Sequence, residues 1–306
     1  MRFVRSGVTV ALALATVALG SAPALPAPVS PGPPKITIET EGPVLSHNGQ
    51  KYFGTMIVTV RNRGGQATSA RMLRIGLPNG LKLISAYPAN DCLSFGTPYV
   101  DCLTDEYLAP GDVVTYAVIF ASGAAPVERA RVTDTKLVTI VPAQSDPADG
   151  EFAGILRGTT GSVADPVPYT PATTARTVVT AGPAHAEEVK STTGTPEYAV
   201  RIPVTIHAGT DLPNDYAGIT ISAPPGSGFA QTDPTADFCT PAVCGIPGWM
   251  AAGETRQFDV IFTYHPPTVP VTATVGLVAN MYSGGVAQPE ESPAHNSVEV
   301  PLVITS

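Results

Sequence analysis

The sequence predicts an all-β chain folded as two tandem antiparallel β-sandwich domains, and three observations predict it: an internal repeat, alternating hydrophobicity and frequent turn residues. Ala109 to Phe120 reads APGDVVTYAVIF and Ala251 to Phe262 reads AAGETRQFDVIF, each behind a cysteine at the same spacing, Cys102 or Cys244. Self-similarity at a long period marks one architecture built twice. Apolar residues fall at every second position, as Val114, Tyr116, Val118 and Phe120 in one copy and Phe258, Val260, Phe262 and Tyr264 in the other. A pleated strand sends alternate side chains to opposite faces, so this spacing buries one face and wets the other. The 29 glycines and 32 prolines leave little room for stable helices, and short strands with frequent turns imply sheets packed face to face.

The repeat reaches beyond those twelve positions. Ile57-Val58-Thr59-Val60 matches Pro203-Val204-Thr205-Ile206, and Leu73 to Pro78 matches Ile219 to Pro224 at the same offset. Gly42-Pro43 answers Gly182-Pro183, Cys92 answers Cys239, and Tyr107 answers the single tryptophan, Trp249. Val200, Ile202, Val204 and Ile206, then Val298, Val300, Leu302 and Ile304, alternate likewise. Asn48-Gly49, Pro78-Asn79-Gly80, Pro110-Gly111-Asp112 and Pro224-Pro225-Gly226 punctuate the strands. Proline presets one turn dihedral and glycine permits the reversed one.

Taken in order, residues 1–24 carry Arg2 and Arg5 ahead of the apolar run Val8 to Leu19, closing on Ala22-Pro23-Ala24. That is the layout of a secretory signal peptide. Its apolar run is shorter than the ~20 residues a bilayer span needs, and the two arginines are not adjacent, which disfavours the twin-arginine route. Residues 25–34 form a proline-rich spacer, 35–158 the first domain, 159–174 a Thr/Pro linker with Pro166, Pro168 and Pro171, and 175–306 the second domain. No further stretch is long and apolar enough for a helical span, and the sequence closes without a hydrophobic tail. The expectation is an extracellular product, secreted or cell-wall associated, with no stable membrane span after signal cleavage.

Cleavage takes Arg2 and Arg5 from the 17 basic residues and nothing from the 25 acidic ones, moving the net charge from −8 to −10. An acidic chain is a poor partner for nucleic acid or anionic lipid. The excess carboxylate equally serves solubility.

Four cysteines, two per repeat unit, in an exported chain predict two local disulfides, Cys92 with Cys102 and Cys239 with Cys244. Loops this short contribute at most roughly 2 to 3 kcal/mol each on the chain-entropy account. Four thiolates could instead hold zinc, but the ligands would come from two domains and lack paired two-residue spacings. Neither pair has the spacing of a thiol-exchange motif.

Catalytic signatures are missing: there is no G-x-S-x-G elbow, no H-E-x-x-H helix and no phosphate-cradling glycine loop. His47, His185, His207, His265 and His295 are scattered and unmatched between the repeats. Asp146, Asp149 and Glu151, Asp211 with Asp215, and Glu290 with Glu291 could offer oxygen ligands to calcium, but none has EF-hand spacing. The same pairs could act in glycoside hydrolysis only if a sugar cleft set two carboxyls across one bond. The expectation is no enzyme, no metal and no cofactor. Trp249 and Tyr107 are candidate ligand contacts, since flat rings stack on sugar faces. Their matched places after Cys244 and Cys102 suggest equally that each packs on its own disulfide or caps its own core. Tyr87, Tyr99, Tyr169 and Tyr282 are further candidate contacts.

Asn62-Arg63-Gly64-Gly65, Gly76-Leu77-Pro78-Asn79-Gly80-Leu81, Cys92, Cys102 and Leu108-Ala109-Pro110-Gly111 together resemble the immunoglobulin-like repeat of bacterial surface and secreted proteins. That repeat is classed as a conserved domain of unknown function and is related to the adhesion-type CARDB group. The resemblance covers nearly all of the first domain and, more faintly, the second, where Pro293-Ala294-His295-Asn296-Ser297 fits the asparagine before the last strand. The second domain departs at Ala208, where Asn62 has no counterpart, and at Ser227-Gly228, an insertion. The resemblance implies immunoglobulin-like sandwiches without common catalytic residues, used as stalks, spacers or adhesion modules. The expected partner is a protein or glycan ligand at the cell surface, reached through loops or sheet edges. The alternative is a carbohydrate-binding or cell-wall accessory protein.

Overall fold

The computed structural model describes residues 31–94, 98–189, 196–228, 230–234, 238–240 and 243–305. The expected signal peptide, 1–24, and the spacer as far as residue 30 lie outside the described residues. Residues Gly32–Ser306 form one compact unit. Among the described residues every regular element is a strand, and no helix is long and apolar enough to cross a membrane.

The chain builds two β-sandwiches from mostly antiparallel sheets. In the first, Tyr52–Asn62 is the central strand of one sheet, flanked by Val113–Ser122, which in turn pairs with Leu81–Tyr87. The facing sheet runs Ala148–Phe152, Lys136–Pro142, Thr68–Gly76, Tyr99–Leu103 and Asn90–Leu93. Alternation does what the sequence requires of it: Met56, Val58, Val60, Tyr116, Val118 and Phe120 from one sheet meet Leu73, Ile75, Val138 and Ile140 from the other in one core. Each such side chain contributes roughly 1.5 to 3 kcal/mol by leaving water.

In the second sandwich Glu197–Ala208 pairs with Thr255–Tyr264 along ten residue pairs. The facing sheet centres on Val271–Ser283, with Tyr216–Ser222 on one side and Ser297–Ile304 on the other. Val200, Ile202, Val204, Ile206, Phe258, Val260 and Phe262 pack there against Ile219, Val275, Leu277, Val300 and Leu302.

Among the described strands antiparallel pairing dominates, with two parallel strand pairs. Val44–His47 runs parallel to Ile155–Leu156, and Arg131–Val132 runs parallel to Val167–Pro168. Both are two-residue contacts made where the chain, having finished the facing sheet, returns along the edge of the first. The segment 159–174, expected as a linker, is therefore paired along part of its length, and its Tyr169 is buried within the first core.

The matched turns close through matched bonds. Asp112 accepts from Ala109 N–H at 2.8 Å through its carboxylate, and Gly111 N–H donates to Asn62 O at 2.8 Å. Glu254 accepts from Ala251 N–H at 2.9 Å, and Gly253 N–H donates to Ala208 O at 2.7 Å. Gly111 and Gly253 sit at φ +88° and +81°, a conformation that a Cβ resists. Two edges are irregular: register shifts place Ile84 out of the ladder in Leu81–Tyr87 and Asp91 out of it in Asn90–Leu93. Such bulges discourage strand addition at an exposed edge.

Candidate functional site

Trp249 marks the place where the two sandwiches meet. Its loop is fixed by Arg256, whose guanidinium donates to Pro247 O, to Gly248 O at 2.9 Å and to Trp249 O at 2.8 Å, while Nε donates to Glu254 Oε1 at 2.9 Å. The ring lies against Gly123 of the first sandwich, where a Cβ would come within 3.0 Å of Trp249 Cζ3. Two ammonium groups of the first sandwich face the ring, Lys51 Nζ at 4.5 Å and Lys82 Nζ at 5.2 Å from its centre. A cation over an indole contributes about 0.5 to 2 kcal/mol, more as water is excluded.

The same lysines carry the polar contacts across the junction. Lys51 donates to Trp249 O at 3.0 Å and lies 3.6 Å from Glu254 Oε2. Lys82 donates to Asn214 O and to Asp215 Oδ1 at 3.0 Å. Ala252 N–H donates to Gly123 O at 2.8 Å. Beside them Tyr169 donates its hydroxyl to Asp211 Oδ2 at 3.0 Å, and Ala172 N–H donates to Asp211 Oδ1 at 3.1 Å. Burial lowers the Lys82 pKa below the usual lysine value, Lys51 adds to the fall, and Asp215 opposes it. Burial pushes Asp215 upward, but the Gly284 N–H and Lys82 outweigh it and hold the carboxyl below the usual range. Glu254 is held low in the same way by Ala251 N–H, Arg256 and Lys51. A cleft of about 390 Å³ opens next to this contact, with His47, Gln50 and Pro126 on one wall and Gly253, Glu254 and Thr255 on the other.

Both expected disulfides are present, Cys92–Cys102 and Cys239–Cys244, and no described cysteine is free. Each joins directly opposed residues of a hairpin. The zinc alternative is thereby overturned, because all four sulfurs are consumed. Among the described residues no three His, Cys, Asp or Glu side chains converge as a metal site. Of the other carboxylates considered from sequence, Asp149 accepts from Thr139 at 2.5 Å, and Glu290 accepts from Thr177 N–H at 3.1 Å and from its hydroxyl at 2.6 Å. Burial raises the Glu290 carboxyl above its ordinary value, against the pull of those two donors.

The sequence match between Tyr107 and Trp249 does not extend to their surroundings. Tyr107 is 67% exposed and caps no core, whereas Trp249 is half-buried at the junction. Tyr87 is 77% exposed on the edge strand, and Tyr99 faces Arg74, which is held by two bonds to Asp101.

Two features escaped the sequence reading. Asn214, buried at 2% exposure, donates to Met250 O at 2.8 Å and accepts from Met250 N–H at 2.9 Å. Asn62 donates to Leu108 O at 3.1 Å, and Leu108 is the residue that Met250 matches in the repeat. The counterpart of Asn62 is thus six residues past Ala208, displaced beyond the aligned position. The second feature is an aromatic cluster on the outward face of the second sandwich. Tyr216 and Tyr282 stack with centres 4.9 Å apart and planes 4° apart, and Phe238 meets Tyr216 at 5.4 Å and 82°. Gly218 and Gly245 lie beneath: a Cβ on either would collide with the Tyr282 or Phe238 ring. Glycines inside a strand pattern are the signal that could have marked it.

No protein-family model matches the chain, and no curated protein is similar to it. Among solved structures it is similar to red sea bream transglutaminase, at 10% identity over 89% of this chain and 31% of that one, with a TM-score of 0.21. It spans about a third of that enzyme's length. A second is the collagen-binding domain of Erysipelothrix rhusiopathiae surface protein RspB, at 10% identity over 88% and 94% of the two chains, TM-score 0.20. A third is a mutant of the CFA/I enterotoxigenic E. coli adhesin CfaE, at 7% identity over 88% and 85%, TM-score 0.24. Similarity at this level carries no statement about ligand or activity.

Proposed function

We propose that the chain is an exported, non-catalytic structural and interaction module of the cell surface, built from two repeat domains, 35–158 and 175–306, in the style of the CARDB-like adhesion-type repeats. The observation that carries this reading is the junction. Trp249 is met by both Lys51 and Lys82, and Asp211, Asp215 and Glu254 are all spent on holding the two sandwiches together. Side chains that could serve chemistry serve geometry, which is what a stalk that presents surfaces at fixed spacing requires. Two short disulfides suit an oxidising compartment. The bulged edges at Ile84 and Asp91 turn the reading away from strand addition there and toward exposed faces and loops as the contact surface.

The test is retention of purified mature protein by intact producing cells and by isolated wall material, with a denatured sample as control. Saturable retention that survives salt supports the module. Turnover of wall polymer by the protein, or no retention by either material, overturns it.

A further inference from the structure

We propose that the outward aromatic cluster of the second sandwich is a binding site for a neutral pyranose polysaccharide. Phe238, Gly245, Gly218 and Asn280 stand side by side in one row across four strands. The two middle positions lack side chains, and the Tyr282 ring lies over Gly218 and the Phe238 ring over Gly245. Tyr216 stacks on Tyr282, and the Phe238 ring stands at 82° to Tyr216. Two ring planes at nearly a right angle form a corner. A pyranose offers what fits a corner, a flat C–H face for one ring and a hydroxyl-bearing rim for the other.

The polar groups at the corner are free to bind. Among the described residues neither the Tyr216 nor the Tyr282 hydroxyl has a hydrogen-bond partner. Asn280 accepts from Asn296 at 3.0 Å through Oδ1, leaving its amide N–H groups for a ligand. The next outward row is Val243, Thr220 and Val278, without charge. Asp215, next to Tyr216, is already bound to Lys82 and Gly284, and Asp237, next to Phe238, lies outside the described residues. A chain of net charge −8 favours neutral over acidic glycans. Rings that merely roof strand glycines would need no free hydroxyls and no exposed Phe238, which is 40% open to solvent.

The inference rests on the interaction-module reading for the presence of a ligand, but its test is separate. Full mature protein is mixed with amorphous cellulose, with insoluble starch and with curdlan, and with immobilised heparin as the acidic comparison. Retention by at least one neutral polymer, competed by its soluble oligosaccharide, is expected. Phe238→Ala should weaken it about tenfold or more, and Tyr216→Phe with Tyr282→Phe, which keeps both rings, about tenfold through the lost hydroxyl bonds. Thermal unfolding of each variant is recorded alongside; the double Phe variant keeps the stack and guards against misfolding. Binding to heparin alone, to no neutral polymer, or unchanged in both variants overturns the site. If Phe238→Ala abolishes polysaccharide binding but still attaches to producing cells, the module reading stands apart from this one. If polysaccharide binding is never seen while cells are bound, only the site falls.

Discussion

Lys51 and Trp249, 198 positions apart, touch twice: the ammonium lies 4.5 Å from the centre of the indole and donates to the Trp249 carbonyl at 3.0 Å. One lysine thereby satisfies both the ring and the backbone of the loop that follows the second disulfide. Because Lys82 and Gly123 meet the same ring, the junction depends on a single side chain more than on any other.

Removing that side chain should uncouple the sandwiches. Trp249→Ala leaves the Lys51 and Lys82 charges without the ring and opens space over Gly123, at a cost of about 2 to 4 kcal/mol for a large half-buried ring. Scanning calorimetry should resolve one cooperative transition in the parent and two, or one broadened, in the variant. Trp249→Phe should recover most of the loss. An unchanged single transition in Trp249→Ala would remove the junction from the account.

The displaced asparagines make a paired prediction. Asn62, fully buried, bonds Gln66 O, Leu108 O and Gly64 N–H, and Asn214 bonds Met250 on both its N–H and its carbonyl. Alanine at either position strands buried backbone groups, costing about 1 to 3 kcal/mol for each one left unsatisfied. Urea midpoints of Asn62→Ala and Asn214→Ala should therefore fall by comparable amounts. A neutral Asn214→Ala would mean that the second loop holds its shape without it.

These residues show how far the sequence could be read. Strand positions, the core and the cysteine pairing were legible because alternation and repetition are local signals, as at Val114, Tyr116, Val118 and Phe120. The Asn62 counterpart was not, because hydrogen bonding to Met250 tolerates a loop of different length, and alignment tests position only. Trp249 was legible as special but not as a joint. Its partners Gly123, Lys51 and Lys82 come from three separate segments of the other sandwich, and nothing in their spacing announces the meeting. The Phe238, Tyr216 and Tyr282 corner depends on cross-strand register, which hydrophobic pattern sets only to within the choice of face.

The disulfides should matter unequally. Cys92 and Cys102 enclose ten residues of separation and Cys239 and Cys244 only five, so the chain-entropy account gives about 2.8 against about 2.2 kcal/mol at most. Cys102 and Cys244 are both buried, so alanine adds a packing loss at each. Paired substitution to alanine, followed by urea unfolding, should show a loss at both sites, larger for the first pair. Thiol titration of the unreduced parent should find none, and four after denaturing reduction.

Acid should loosen the junction through its carboxylates. Asp215 has a folded pKa below its usual 3.8 and Glu254 one below its usual 4.5, so each contributes stability that is complete above those values and is lost as pH falls through the folded value. The unfolded chain binds the proton first, which sets the sign. Lys82 works at the other end of the scale: its folded pKa lies below 10.5, so the unfolded chain again binds the proton more tightly, and stability rises with pH between the folded value and 10.5. Asp215→Asn removes the acid contribution while keeping an acceptor for Gly284 N–H. Urea midpoints of parent and variant, measured from about pH 5 down to about pH 2, should converge as the parent carboxylate protonates. Parallel curves across that range would show that Asp215 titrates alike in both states and that its bond to Lys82 adds nothing to the folded chain.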